Sequence, residues 1–129
     1  MKSVVICGSR RFKPEIRKFA TTLKKLGVTV YEPHLHSGQK EWEKLSDQYK
    51  KFTALGLTHD HIYKIRMADV VYLFNKGGYS GVSTSIEVGA ALALGKPIYA
   101  YSDKDSELTR QTLVREFIKT PRELYRKLK

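Results

Sequence analysis

Cysteine and long apolar runs are scarce in this sequence. Cys7 is the single cysteine in 129 residues, which excludes a disulfide within the chain and indicates a reducing, cytoplasmic location. No apolar run approaches the roughly 20 residues that a membrane span needs. Met1 leads straight into an apolar strand, so we expect neither a membrane anchor nor a signal peptide. The sequence has no Cys/His pattern with the spacing of a zinc site, and we expect no metal and no cofactor.

Acidic residues are also few. Thirteen Asp and Glu stand against 24 Lys and Arg, which gives a formal net charge of +11 at pH 7. Residues 1–27 hold eight of the basic residues and a single acidic one, Glu15. Such a charge attracts either nucleic acid or small phosphorylated ligands. Because a helix in this region would carry its basic residues on the solvent side, and no basic segment is interleaved with aromatics, we expect no specific nucleic-acid partner.

The sequence alternates between short apolar runs and amphipathic segments. The apolar runs predict five strands, at residues 3–7, 28–32, 70–74, 98–101 and 116–119. Helical spacing predicts a helix that starts at Pro14, one with an aromatic stripe through Trp42 and Phe52, one capped by Thr58, one over about residues 106–113 and one capped by Thr120. The aromatic stripe is interpreted either as packing against the core or as a lid over a bound base.

Strands and helices that alternate in this way form a three-layer, doubly wound α/β sheet. We predict a single domain over residues 1–129, with five parallel strands in the order 2-1-3-4-5. The connections of such a sheet change direction between strands 1 and 3, so the loops after Cys7 and after Phe74 open onto one crevice. Both loops contain glycine and polar residues, and we expect the functional site there.

The second of these loops leads into a helix with two interpretations. Residues 75–81 are rich in glycine and serine, and the helix that follows ends at Gly95 and Pro97. Backbone amides at a helix start favour a bound anion. Thr84 and Glu87 have the spacing of a capping box, which is a purely structural role. The small residues farther along this helix favour instead the close approach of a ligand.

This segment resembles the signature of the nucleoside 2-deoxyribosyltransferase family and of its relatives, the 2′-deoxynucleoside 5′-monophosphate N-glycosidases. The matching pattern is Thr84-x-x-Glu87-x-Gly89-x-Ala91-x-Ala93-x-Gly95-Lys96-Pro97. The resemblance extends over residues 4–11 and 60–74, and a more distant one, through Gly77 and Gly78, links the chain to nucleotide phosphoribohydrolases. It implies that Glu87 is the nucleophile that attacks C1′ of the sugar and displaces the base. It also implies a homo-oligomer, a homodimer or larger, that acts on a small nucleoside or nucleotide.

The candidate site residues follow from the resemblance together with the two loops. Where relatives have an aspartate in the helix before the third strand, this chain has His61, with Asp60 one position earlier; both join Glu87 as catalytic candidates. A shift of one residue turns a side chain by about 100° around a helix. A 5′-phosphate would be bound by amides, hydroxyls and a guanidinium, and the substrate-binding candidates are Gly8, Ser9, Arg10, Asn75, Ser80, Gly81, Ser83 and Thr84.

Three functions therefore remain open. The first is cleavage or transfer of the N-glycosidic bond of a nucleoside, deoxynucleoside or 5′-monophosphate, with Glu87 as nucleophile. The second is a nucleotide-sensing module without catalysis, because the sequence has Asn75 where the transferases carry an aspartate after the third strand. The third, supported only by the charge, is a nucleic-acid-binding protein.

Overall fold

The protein is built on a five-stranded parallel sheet. The computed structural model describes residues 1–34 and 39–129. The strands are β1 (Val4–Gly8), β2 (Val30–Tyr31), β3 (Val70–Phe74), β4 (Ile98–Ala100) and β5 (Glu116–Phe117). Their order is β2-β1-β3-β4-β5 and every neighbouring pair is parallel, so the predicted fold class and strand order are confirmed. β1 and β3 pair along their whole length, and each has a further strand on its other side, so both lie in the interior of the sheet.

Six α-helices accompany the sheet within residues 1–34 and 39–129. They are α1 (Lys13–Lys25), α2 (Gln39–Lys44), α3 (Asp47–Met67), α4 (Val82–Ala93), α5 (Leu108–Gln111) and α6 (Pro121–Leu128). Successive residues of a strand point to opposite faces, so β1 contributes to two separate cores. Val4 and Ile6 pack with α1 and α6, while Val5 and Cys7 pack with α3 and α4. Among the described residues, no helix is long and apolar enough to cross a membrane.

Two of the predicted helix starts are confirmed. Pro14 lies in the first turn of α1, where its fixed φ suits a helix and its missing N–H costs no hydrogen bond. The Thr120 side chain accepts a hydrogen bond from the Glu123 amide at the start of α6. Both starts depend on residues within one turn, which is why the sequence alone could locate them.

The predicted helix start at Thr58 is wrong. Thr58 lies inside the 21-residue α3, and its hydroxyl donates to the carbonyl of Ala54 one turn earlier. The helix begins instead after Ser46, whose hydroxyl accepts from the Tyr49 amide. Only the second half of α3 reaches the sheet, through the buried His61 and Ile65.

The capping-box interpretation of Thr84 and Glu87 is also wrong. α4 begins at Val82 with Gly81 as its N-cap, and no side chain caps it. Thr84 thus lies in the first turn of α4 and Glu87 in the second. The backbone N–H groups of the second turn are already paired along the helix. Glu87 is consequently available for a role other than closing the helix.

The outer elements are shorter than predicted. β2 and β5 have two residues each, and the helix expected over residues 106–113 is reduced to α5, with four residues. Strands at the two edges of a sheet pair on one side only, so fewer hydrogen bonds define their length.

Candidate active site

A cavity of about 480 Å³ lies between the loop after β1 and the helices α3 and α4. Its volume falls in the usual range for a site that binds a small organic ligand. It opens at the carboxyl end of β1, beside the point where the sheet connections change direction. The lining residues are Gly8, Ser9, Arg10, Pro33, His34, Trp42, Ala54, Leu57, Thr58, His61, Gly81, Val82, Ser83, Thr84 and Glu87.

The cavity contains most of the residues singled out in the sequence. Eight of them line it: Gly8, Ser9, Arg10, His61, Gly81, Ser83, Thr84 and Glu87. Asp60, Asn75 and Ser80 do not line it. The loop after β1 and the start of α4 therefore meet, as the strand order required, whereas the loop directly after β3 contributes less than expected.

Three buried groups from three different elements meet beside the cavity. Cys7 is on β1, His61 on α3 and Glu87 on α4. The Nε2 atom of His61 lies 3.3 Å from Glu87 Oε2 and 3.3 Å from Cys7 Sγ. The Glu87 side chain is 16% exposed and the His61 side chain 4% exposed, so the carboxylate is the more accessible of the two.

Burial shifts the protonation of all three groups. Desolvation raises the pKa of Glu87 to about 7, and a hydrogen bond from Cys7 opposes part of that rise. Burial lowers the pKa of His61 to about 4, so its imidazole is neutral at pH 7. Burial, followed by the charge of Glu87, raises the pKa of the Cys7 thiol well above its usual range. The His61–Glu87 contact is therefore a contact between a neutral imidazole and a titrating carboxyl group, rather than an ion pair.

Asp60 lies outside the cavity. Its carboxylate is 2.7 Å from His34 Nε2 and 3.0 Å from the ammonium of Lys64. Hydrogen bonds to Lys64 and then to His34 lower the pKa of Asp60. The turn of about 100° between successive helical residues accounts for the difference: it points His61 into the site and Asp60 toward the rim, where Asp60 contacts His34.

Asn75 connects the loop after β3 with the loop after β4. Its amide donates to the carbonyl of Ser102 at 3.0 Å and accepts from the Ser102 amide at 2.8 Å. Both hydrogen bonds are buried, so the Asn75 amide group is already used within the fold. Ser80 differs, because its buried hydroxyl has no hydrogen-bond partner among the described residues.

Hydrogen-bond donors for an anion surround one part of the cavity. The Ser9 hydroxyl accepts from the Arg11 amide, which leaves its own proton free to donate. Arg10 is exposed and forms no ion pair within residues 1–34 and 39–129. Gly81 and Ser83 add the amides at the start of α4, which no side chain caps. Amides, hydroxyls and a guanidinium in this combination suit a phosphate group.

The apolar side of the cavity was not predicted from the sequence. Pro33, Ala54 and Leu57 line it together with Trp42. Trp42 belonged to the predicted aromatic stripe and does face the cavity, but Phe52 in the same stripe is 73% exposed. Since α2 and the first half of α3 approach the site only in the folded chain, helical spacing alone could not separate the lining residues from the exposed ones.

Comparison with known proteins gives one family and several similar folds. A family model described as nucleoside 2-deoxyribosyltransferase matches residues 5–122. A 2-deoxyribosyltransferase from Bacillus psychrosaccharolyticus superimposes with a TM-score of 0.67 at 19% identity, over 95% of this chain and 89% of that one. The CMP N-glycosidase of Clostridium botulinum gives 0.55 at 19% identity, over 98% and 97% of the two chains. A conserved protein from Enterococcus faecalis V583 gives 0.66 at 16% identity, over 99% and 97%.

At these identities the solved structures establish a shared fold and nothing finer. The search of curated proteins found no match. The family model, which spans nearly the whole chain, is therefore the finding that bears on activity.

Proposed function

Because the chain belongs to the nucleoside 2-deoxyribosyltransferase family, we propose that it breaks the N-glycosidic bond of a nucleoside or 5′-monophosphate with Glu87 as the nucleophile. The observation that carries the proposal is the position of Glu87, a carboxyl group that lines a ligand-sized cavity 3.3 Å from the buried His61. Cleavage of this bond develops positive charge at C1′, which a carboxylate can stabilise or trap covalently.

The reaction divides into two displacements. In the first, Glu87 Oε attacks C1′, and the bond between C1′ and the base nitrogen breaks, with its electron pair leaving on the base. In the second, the oxygen of water or the nitrogen of another base attacks C1′ and loses its proton to solvent, while the bond between C1′ and Glu87 Oε breaks and its electron pair returns to the carboxylate. The first acceptor gives hydrolysis with a free sugar and the second gives transfer.

His61 is a positioning residue in this scheme. Its imidazole is neutral at pH 7 because burial lowers its pKa to about 4, so it has no proton to spare for the leaving base. It lies 3.3 Å from Glu87 Oε2 and can orient the carboxylate. The base must then receive its proton, or a hydrogen bond, from solvent or from another group at the cavity.

The two sides of the cavity suit the two ends of a nucleotide. The ring of Trp42 and the side chain of Leu57 offer apolar surface to a base. Ser9, Arg10 and the start of α4 offer donors to a 5′-phosphate. We propose on this ground that a 5′-monophosphate binds more tightly than the free nucleoside.

Exposed apolar side chains support a homo-oligomer. On the first half of α3, Tyr49 is 64% exposed and Phe52 73% exposed, with Leu55 also exposed. On α4, Val82 and Ile86 are exposed as well. Apolar residues concentrated on two neighbouring helices are typical of an interface. We expect light scattering to give a mass above the 14.8 kDa of one chain, and Phe52→Glu to reduce it.

A panel of nucleosides and their 5′-monophosphates tests the activity, with free base measured by chromatography. We expect base release by the wild type and none by Glu87→Ala, while Glu87→Ala still binds the substrate. Asp60→Asn is the matched control, since it removes a neighbouring carboxylate that does not line the cavity. Full base release by folded Glu87→Ala would refute the nucleophile assignment.

A nucleotide-binding protein without catalysis is the second candidate. It is favoured by the lining of the cavity. Among the described residues Glu87 is the one carboxylate there, so the lining contains no second carboxylate to assist the reaction. Tight binding of a 5′-monophosphate with no base release under any tested condition would establish this alternative. The same titration separates it from the enzyme, because both bind the ligand and only one consumes it.

A further inference from the structure

Cys7, His61 and Glu87 present three different metal-ligand atoms to one point. A sulfur, a nitrogen and a carboxylate oxygen all lie within 4.8 Å of one another, and Nε2 of His61 is 3.3 Å from each of the other two groups. In a tetrahedral zinc site, with bonds of about 2.0 to 2.3 Å, neighbouring ligand atoms are about 3.3 to 3.6 Å apart. Small side-chain movements would therefore complete such a site.

We propose that Cys7 Sγ, His61 Nε2 and Glu87 Oε2 form a binding site for Zn²⁺, and that the bound ion blocks the cavity reversibly. Three protein ligands leave a fourth tetrahedral position open. Because His61 and Glu87 both line the cavity, water or a ligand in the cavity can take that position. The sequence carried no signal of the site, since its ligands come from β1, α3 and α4 and have no short spacing.

The chemistry of the donors selects the ion. Thiolate and imidazole favour Zn²⁺ and similar transition-metal ions, whereas Mg²⁺ and Ca²⁺ prefer shells of oxygen atoms. On binding, the Cys7 thiol loses its proton to solvent and a Zn–S bond forms, with no change of oxidation state. His61 offers a neutral Nε2, and Glu87 supplies the negative charge that offsets part of the charge of the ion.

Inhibition follows from the shared carboxylate. A Glu87 oxygen bound to Zn²⁺ cannot attack C1′, and the ion occupies space at the reacting end of the cavity. This consequence rests on the proposed function, but the binding of the metal does not. The binding measurement can therefore succeed or fail whether or not the protein releases bases.

Co²⁺ is a suitable probe, because a Co²⁺–thiolate bond gives a charge-transfer absorption in the near ultraviolet. Cys7 is the single cysteine of the chain, so this absorption reports Cys7 alone. We expect one equivalent of Co²⁺ to produce the band, with visible bands typical of tetrahedral Co²⁺, and Zn²⁺ to bleach both. Cys7→Ser should lose the near-ultraviolet band. His61→Ala and Glu87→Gln should each weaken Co²⁺ binding by about tenfold or more, since changes even to residues outside the ligand set cost that much.

His34→Ala is the control variant. His34 and Asp60 form another imidazole–carboxylate pair at the rim, and this substitution should leave the thiolate band and the Co²⁺ affinity unchanged. Absence of the band in the wild type, or equal affinity in wild type, His61→Ala and Glu87→Gln, would overturn the proposal. Loss of Co²⁺ binding in His34→Ala, with retention in Cys7→Ser, would place the ion at the rim and overturn it as well.

With an active preparation, Zn²⁺ should reduce base release, and a chelator should restore it. If Co²⁺ binds as expected and no base is released without metal, the metal site stands and the proposed activity fails. If base is released but no thiolate band forms, the reverse holds.

Discussion

The raised pKa of Glu87 predicts that neutralising this residue stabilises the protein above pH 7. Burial raises the pKa of its carboxyl group from 4.5 to about 7. One pKa unit corresponds to 1.36 kcal/mol, so the fold at high pH bears a cost of about 3 kcal/mol for holding this carboxylate ionised. Glu87→Gln keeps the shape of the side chain without the charge, and it should recover most of that cost.

The sign of the effect follows from the raised pKa. The folded protein holds the Glu87 proton more tightly than the unfolded chain does. The associated stability is complete below pH 4.5 and is lost as the pH rises through about 7. The advantage of Glu87→Gln over the wild type should thus be about 3 kcal/mol at pH 8.5 and about 1 kcal/mol at pH 5.

Urea unfolding at these two pH values, with a chelator present, measures the difference. At pH 8.5 the midpoint of Glu87→Gln should lie about 1 to 2 M above that of the wild type. His61 has the opposite dependence: burial lowers its pKa from 6.5 to about 4, so its contribution is present above pH 6.5 and is lost on acidification. Both proteins contain His61, so this term largely cancels in the comparison.

Asp60→Asn is the matched control, because hydrogen bonds to Lys64 and His34 lower the pKa of Asp60. Removing that charge should not stabilise the protein at pH 8.5. If Glu87→Gln were no more stable than the wild type at pH 8.5, its neighbours would be stabilising the carboxylate, and the argument from burial would be refuted.

Three further substitutions, and a fourth that serves as a control for one of them, test the geometry. In calorimetric titrations, Arg10→Ala should weaken the binding of a 5′-monophosphate by about 10- to 100-fold, since a hydrogen bond to a charged group contributes about 1.5 to 3 kcal/mol. Binding of the free nucleoside should weaken much less. Equal losses for both ligands would show that the phosphate binds elsewhere. Gly78→Ala should destabilise by about 2 kcal/mol or more in thermal unfolding, because φ is +82° and the new Cβ would lie against the Lys104 carbonyl. Gly77→Ala should cost less, because its φ of +66° is also positive but no atom lies within 4 Å of the added Cβ. Asn75→Ala should lower the free energy of unfolding in urea by about 2 kcal/mol or more, because it leaves both Ser102 backbone groups unpaired. The variant should still release base. A folded variant without activity would show that Asn75 belongs to the active site.

The positions of the strands could be predicted from the sequence because they depend on local patterns. Runs such as Val70–Phe74 are apolar throughout and all five residues are buried, as expected for a parallel strand covered on both faces. Alternation with helices then restricts the sheet to a few topologies. The strand order in turn brings the loop after β1 close to α4, which is why Gly8, Ser9 and Glu87 could be assigned to one crevice from the sequence.

The composition of the site was decided by contacts between distant segments. Whether His61 or Asp60 faces the cavity depends on how α3 is rotated against the sheet, and the apolar pattern of α3 is too irregular to define that rotation. Whether Glu87 caps α4 depends on where the helix starts, which Gly81 and the preceding loop decide. In the sequence, Cys7 is only the last residue of an apolar run. The folded chain places His61 of α3 and Glu87 of α4 beside its thiol.

The raised pKa of Glu87 could not be predicted from the sequence either. A glutamate in water has a pKa near 4.5, and only burial in the folded chain raises it to about 7. The sequence by itself determined which residue types stand at the ends of the strands, because those follow from spacing along one chain. Tertiary structure alone decided which of them share a desolvated space, because desolvation is produced by neighbours that are remote in sequence.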